Sequence, residues 1–163
     1  MVLAGADLEY LPFFLDSTVA DRLLATLLAE VPWQQPVGQL FGRTFRSPRL
    51  AAWYGDPGAA YQYSGLINEP LPWVSSLDRL RKRVESQLGL HFNSVLLNCY
   101  RDGIDSLGWH QDDEPELGKH PTIVSISLGG IRRFVLQHYR HIDMPKLELR
   151  PEQGSLLLMR GST

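Results

Sequence analysis

The sequence predicts an α+β fold that is mainly β: a barrel or sandwich of short strands with two helices packed against it. Three observations carry this. Two stretches repeat apolar residues at helical spacing, and both lie before Gly89. After Gly89 the chain changes character, into short runs rich in Val, Ile, Leu and Phe, separated by Gly, Pro and charged turns. And 163 residues suffice for one domain with one core, not for two.

Each element follows in order. The opening "MVLAGADLEYLPFF" has no basic region and meets Asp7 and Glu9 early, so it is not a secretory signal. "DSTVADRLLATLLAEVPW" reads as the first helix. Asp16 or Ser17 can cap it, Leu23, Leu24, Leu27, Leu28 and Val31 share one face, and Pro32 ends it. From Gln34 to Tyr63 the chain is rich in Pro, Gly and aromatics, which points to loops and a hairpin. "PWVSSLDRLRKRVESQLGL" is the second helix, with Ser75 or Ser76 as cap, Leu77, Leu80, Val84 and Leu88 as the apolar stripe and Gly89 as the stop. The runs "FNSVLLNCY", "TIVSISLG", "RRFVLQHY" and "SLLLMRG" are the strands of the second half.

Composition excludes several classes. Apolar residues make 44% and charged residues 21%, ordinary for a globular protein, and no apolar run approaches the ~20 residues that span a bilayer. Cys99 is the only cysteine. It excludes an intrachain disulfide and a Cys-rich zinc site, and it points to a reducing compartment: the cytoplasm, or the nucleus in a eukaryote. The formal net charge of −2 rules out a polycation, but Arg43, Arg46 and Arg49 cluster in "GRTFRSPR", interleaved with Phe41 and Phe45. Such a patch can hold phosphates and stack bases. The cluster Arg79, Arg81, Lys82 and Arg83 reads as a solvated helix face. Nothing suggests a coiled coil, and the chain is expected to be a monomer.

The stretch "YRDGIDSLGWHQDDE" carries the chemistry. His110 and Asp112 form an H-x-D pair after a strand and a glycine-bearing turn. In an extended segment residues i and i+2 point to the same side, so an imidazole and a carboxylate would converge. That is two of the three ligands of the facial triad that holds non-haem Fe(II) and leaves positions open. Alone, H-x-D is common by chance. Asn98 and Tyr100 precede it as N-x-Y on the strand, and both need polar partners if they face inward. His138 and His141 in "QHYRHID" have metal-like spacing but read as a strand end and turn, and Trp109 reads as packing the loop down.

The whole series N-x-Y-x-D-G-x-D-x-x-G-x-H-x-D-D-E, followed by S-x-S-L-G-x-x-R-x-F, resembles the AlkB family of Fe(II)- and 2-oxoglutarate-dependent dioxygenases. The resemblance runs roughly from residue 41 to 163 and is closest to the branch that repairs alkylated bases. It implies a double-stranded β-helix, or jelly roll, with two N-terminal bracing helices. Residues 1–163 would then form a single domain. Residues 1–40 would be a helical lead-in, 41–65 a nucleotide-recognition hairpin and base pocket, and 90–163 the jelly-roll core.

By the same resemblance His110 and Asp112 would be catalytic iron ligands, and Asn98 and Tyr100 would bind 2-oxoglutarate. Glu114 would meet the exocyclic amine of the damaged base. Tyr61 and Tyr63, in "WYGDPGAAYQYSG", would line the flipped-base pocket. In "LFGR", Phe41 would fill the vacated stack and Arg43 would meet phosphate. The cofactor would be Fe(II), the co-substrates 2-oxoglutarate and O2, and the partner DNA or RNA carrying 1-methyladenine or 3-methylcytosine. No membrane role is implied.

The sequence departs from the family pattern at its end. The third iron ligand and two arginines are expected after Thr163, together with the last strands, so the chain as written is expected to be unstable or inactive unless completed. A second reading is therefore a non-catalytic relative that binds nucleic acid or a partner protein. A third keeps the iron chemistry on a protein or small molecule, and the hairpin and base-pocket segments argue against it.

Overall fold

The computed structural model describes residues 6–40, 42–59, 61–63, 66–112, 117–118 and 120–161; the side chains of residues 40, 61–63 and 66–68 lie outside that description. Among the described residues the elements run in chain order β1 (Asp7–Leu11), α1 (Ser17–Glu30), β2 (Val37–Leu40), β3 (Arg43–Arg46), β4 (Leu50–Gly55), β5 (Tyr61–Tyr63), β6 (Leu66–Asn68), α2 (Ser75–Leu88), β7 (Ser94–Cys99), β8 (Ile123–Ile126), β9 (Phe134–Leu136), β10 (Leu147–Leu149) and β11 (Leu156–Arg160). The chain has few helices and many strands. It divides into two compact units, one of residues 1–28 with 111–163 and one of residues 29–110.

The first unit is built on β11. Its continuous apolar run suits a strand covered on both faces, and Leu156, Leu157, Leu158 and Met159 are all buried. β11 lies between β1 and β8 and is antiparallel to both. Gly154, at the turn into β11, has φ +78 and sits so close to the chain that a Cβ there would lie 2.5 Å from the Leu15 carbonyl oxygen. Only glycine suits that backbone and that approach. The Leu15 N–H donates to the Gly154 carbonyl at 2.9 Å and the Gly154 N–H to Ser127 at 2.8 Å, so the start of α1 and the end of β8 meet at this turn. β9 and β10 pair as a separate antiparallel ladder.

Helix α1 is capped as the sequence implies. Asp16 supplies the cap, its Oδ1 accepting from the Val19 N–H at 2.9 Å. Ala20 and Leu27 are buried, but Leu28 is exposed, so the buried stripe is narrower than the leucine pattern promised. Strand β1 was not expected from the sequence, where residues 1–40 read as a helical lead-in. "DLEYL" alternates weakly, and its pairing is with residues far along the chain.

In the second unit β4 pairs antiparallel with β7, in a register that sets Leu50 opposite Cys99 and Gly55 opposite Ser94. Ala51, Ala52 and Tyr54 from β4 are buried, as are Leu77 and Val84 from α2 and Val31. α2 ends at Gly89 in the left-handed conformation, whose N–H donates to Glu85, the stop expected. Its start differs from expectation. The N-cap is Val74, which makes no side-chain cap hydrogen bond, and the Ser76 hydroxyl is buried without a partner. The helix begins at Ser75, so neither serine occupies the cap position.

A polar clamp holds the entry to α2 instead. Asp56 accepts from the Trp73 indole N–H at 2.7 Å and from Arg81 at 3.0 Å, and the Arg81 guanidinium lies 4.4 Å from the centre of the Trp73 ring. Asp78 takes Arg81 at 2.7 Å and Lys82 at 2.7 Å. These two cations of the basic cluster are thus engaged within the unit, where the sequence showed only a charged face. Among the described residues no helix is long and apolar enough to cross a membrane.

Candidate active site

The loop that follows β7 is exposed almost throughout residues 101–110; Asp105 is the exception, 4% exposed. A buried carboxylate needs donors, and Arg101 supplies three. Its backbone N–H (3.0 Å) and Nε (2.7 Å) meet Asp105 Oδ2, and its Nη2 (2.9 Å) meets Oδ1. Asp102 folds the intervening residues into an Asx turn, its Oδ1 accepting from the N–H groups of Ile104 and Asp105 at 2.8 and 3.0 Å. The Ser106 N–H donates to the Pro48 carbonyl at 2.8 Å, fastening the loop to the corner before β4.

His110 closes this loop. Its Nδ1 lies 2.9 Å from the Gly108 carbonyl oxygen. A carbonyl only accepts, so Nδ1 is the donor, and in the neutral ring the lone pair falls on Nε2. This is the arrangement seen around metal-binding imidazoles, where the second nitrogen fixes the tautomer. Asp112 is exposed and, like His110, lies outside regular secondary structure. His110 is the last residue of the second unit and Asp112 belongs to the first. The donor chemistry fits two of the positions of a non-haem iron: one imidazole Nε2 and one carboxylate. Among the described residues no group of three or more His, Cys, Asp or Glu is placed to hold a metal ion.

Asn98 and Tyr100, at the end of β7, are half-buried. The sequence left the partner of Asn98 to a ligand. The structure gives its oxygen to Arg49, whose Nε donates to Oδ1 at 2.8 Å. That fixes the amide so that its NH2 group remains the donating end. Sequence reasoning missed this role for Arg49, which it had grouped with Arg43 and Arg46 as a phosphate contact. The β4–β7 register, Leu50 opposite Cys99, brings Arg49 and Asn98 together, and no local pattern signals it. Cys99 is half-buried; burial pushes its thiol up, and the Asp105 carboxylate acts in the same sense.

The hairpin β2–β3 sets Leu40 opposite Arg43, with Gly42 at φ +73 in the turn. All four residues of β3 are exposed, so Arg43, Phe45 and Arg46 face solvent. Phe45 is opposite Gly38, and its ring occupies the space a Cβ there would take. Phe41 and Glu114 lie outside the described residues. Tyr61 and Tyr63 are backbone positions of β5, opposite Asn68 and Leu66 of β6. The His138 and His141 rings lie 4.7 Å apart, tilted by 53°, and His138 Nδ1 accepts from the N–H groups of Arg140 and His141, which is a turn cap. Trp109, expected to pack the loop down, is 66% exposed.

Comparison with known proteins bears on this geometry. The family model described as the 2OG-Fe(II) oxygenase superfamily matches residues 7–163. The alpha-ketoglutarate-dependent dioxygenase alkB homolog 3 of Rattus norvegicus is 41% identical over 162 residues, covering 93% of this chain and 54% of that protein. Its Homo sapiens counterpart is 40% identical, covering 93% and 55%. The DNA oxidative demethylase ALKBH2 of Mus musculus is 42% identical over 170 residues, covering 98% of this chain and 70% of that protein. The chain thus spans about half the length of the alkB homolog 3 proteins it matches.

Proposed function

The chain belongs to the 2OG-Fe(II) oxygenase superfamily, and within it to the AlkB family, and on that premise we propose that it is an oxidative demethylase of N-alkylated bases in DNA or RNA. The observation that carries the reading is His110, whose Nδ1 is tied to the Gly108 carbonyl so that in the neutral ring the lone pair falls on Nε2, two residues before a carboxylate. His110 and Asp112 would hold Fe(II), which with 2-oxoglutarate and O2 supplies hydroxylation of the methyl group. The hydroxymethylated base then releases formaldehyde and is restored.

The chain's own residues do the rest. The Asn98 amide, its oxygen held by Arg49, would donate from its NH2 group to a carboxylate of 2-oxoglutarate, with the Tyr100 hydroxyl beside it. A methyl on the Watson–Crick edge is out of reach in a duplex, so the base must be flipped or single-stranded. Phe41, next to Gly42 at the hairpin turn, would fill the vacated stack, and the exposed Arg43 would meet phosphate. 1-Methyladenine and 3-methylcytosine are cationic. The Glu114 carboxylate would favour them by charge, and the faces of Tyr61 and Tyr63 by cation–π attraction. A jelly roll braced by α1 and α2, a monomeric state and a cytoplasmic or nuclear location belong to the same proposal.

The test is formaldehyde release from oligonucleotides carrying 1-methyladenine or 3-methylcytosine, given Fe(II), 2-oxoglutarate and O2. Release that disappears in His110→Ala is the expected result. No release from a protein shown to bind iron would remove the substrate assignment.

A further inference from the structure

We propose that the Arg101–Asp105 ion pair is a positioning device for His110, and that it sets how tightly the chain holds its metal. The proposal rests on the reading of His110 as a ligand and extends it to residues without donor atoms at the metal.

Polar contacts rather than a core hold the loop it organises. Ile104 is 86% exposed and Trp109 66% exposed, so apolar burial does not fix residues 101–110. Asp105 is the one buried residue among them. Three bonds join its carboxylate to Arg101, at the start of the loop, and two of them form a fork to the guanidinium. A fork of this kind specifies direction as well as distance. The next residue, Ser106, is fastened to Pro48. From that anchor to His110 is four residue steps, at most roughly 14 Å of extended chain. The Gly108–His110 bond shortens the arm further. His110 therefore sits on a short lever whose base includes the Arg101–Asp105 pair, the Asp102 turn and the Ser106 backbone bond.

Asp105 is buried and Arg101 is not, so desolvation of the carboxylate and solvent screening of the guanidinium both limit what the pair adds to net stability. What the pair adds here is a single conformation of the loop. Losing it frees the base of the lever and leaves the imidazole's own chemistry intact. The effect expected is that of an outer partner of a metal ligand, about 10–100-fold in metal affinity.

The experiment titrates the protein with Co(II), following both affinity and the visible absorption bands that report coordination geometry. The variants are Arg101→Gln, Arg101→Lys, Asp105→Asn, His110→Ala and Arg81→Gln. Arg101→Gln and Asp105→Asn are expected to weaken Co(II) binding by about 10–100-fold and to alter the bands. Arg101→Lys, which keeps the charge and loses the fork, should lie between them and the parent. Arg81→Gln breaks an ion-pair network of the same unit away from the loop, and should lower the melting temperature without changing Co(II) affinity. Arg101 is partly exposed, so its variants keep the test alive if Asp105→Asn fails to fold. Unchanged affinity and bands in folded Arg101→Gln, with binding lost in His110→Ala, would overturn the proposal alone. Unchanged binding in His110→Ala would overturn the ligand reading and the proposal with it.

Discussion

Strands β11 and β7 look alike as text, "LLLMR" and "SVLLNC", and differ in every physical respect. β11 has a partner on each side, and its first four residues are buried. β7 pairs with β4 alone among the described residues, is half-buried along its length, and leaves Leu96 48% exposed. The first strand holds a core together and carries no candidate site residue. The second carries Asn98 one residue from its end and leads straight into Tyr100 and the His110 loop. An apolar run shows that a strand forms; its neighbours decide whether it serves packing or presents chemistry.

Mutation can break this contrast. Leu157→Ala, in β11, is expected to cost about 2–5 kcal/mol through lost burial and an unfilled cavity. Leu96→Ala, in β7, should cost under about 1 kcal/mol. Denaturant unfolding of the two variants measures the gap, and equal losses would show that the two strands carry equal loads.

Asn98→Asp sharpens the functional half. The new side chain still accepts from Arg49, so the fold should be kept, but the donor toward 2-oxoglutarate becomes a carboxylate oxygen. The KM for 2-oxoglutarate is expected to rise at least about tenfold, the scale of one hydrogen bond to a charged group. An unchanged KM would take Asn98 out of the co-substrate site.

A smaller effect comes with acid. Lys82 and then Arg81, by hydrogen bonds, hold the Asp78 carboxyl below its usual value. A depressed folded pKa stabilises above the unfolded value, and the contribution is lost as pH falls through the folded one. The melting temperatures of the parent and Asp78→Asn should therefore differ at pH 6, and the gap should begin to narrow below about pH 4 and close only once pH has fallen past the depressed folded value. A gap that does not narrow at all as pH falls from 6 would show that Asp78 acts through something other than its charge.

Much of this was legible in the sequence, for identifiable reasons. Both helices carry local signals, a 3.6-residue stripe and a stop at Gly89, and local signals survive without knowledge of the fold. β11 was legible because a centrally placed strand is apolar without alternation, here at four successive positions. H-x-D and N-x-Y were legible because donor types at fixed spacing are themselves the chemistry. β1 was not, since what makes "DLEYL" a strand is an exposed edge of β11 far along the chain. Val74 at the α2 cap was hidden for a similar reason: the Trp73–Asp56 bond holds that turn, so no capping side chain is needed. Arg49 read as a phosphate contact until the β4–β7 register placed it on Asn98.

The pairing of β1 with β11, Asp7 opposite Arg160 and Leu11 opposite Leu156, also imposes an order of events during synthesis. β1 leaves the ribosome well before its partner, because β11 begins at Leu156 and β1 at Asp7, 149 residues earlier. At ~5–20 residues per second the interval is on the order of ten seconds. Residues 29–110 are contiguous and can close their own contacts meanwhile. The β1–β11–β8 sheet cannot form until translation has passed β11. Through that interval β1 is a strand without its sheet, within reach of chaperones, proteases and other nascent chains.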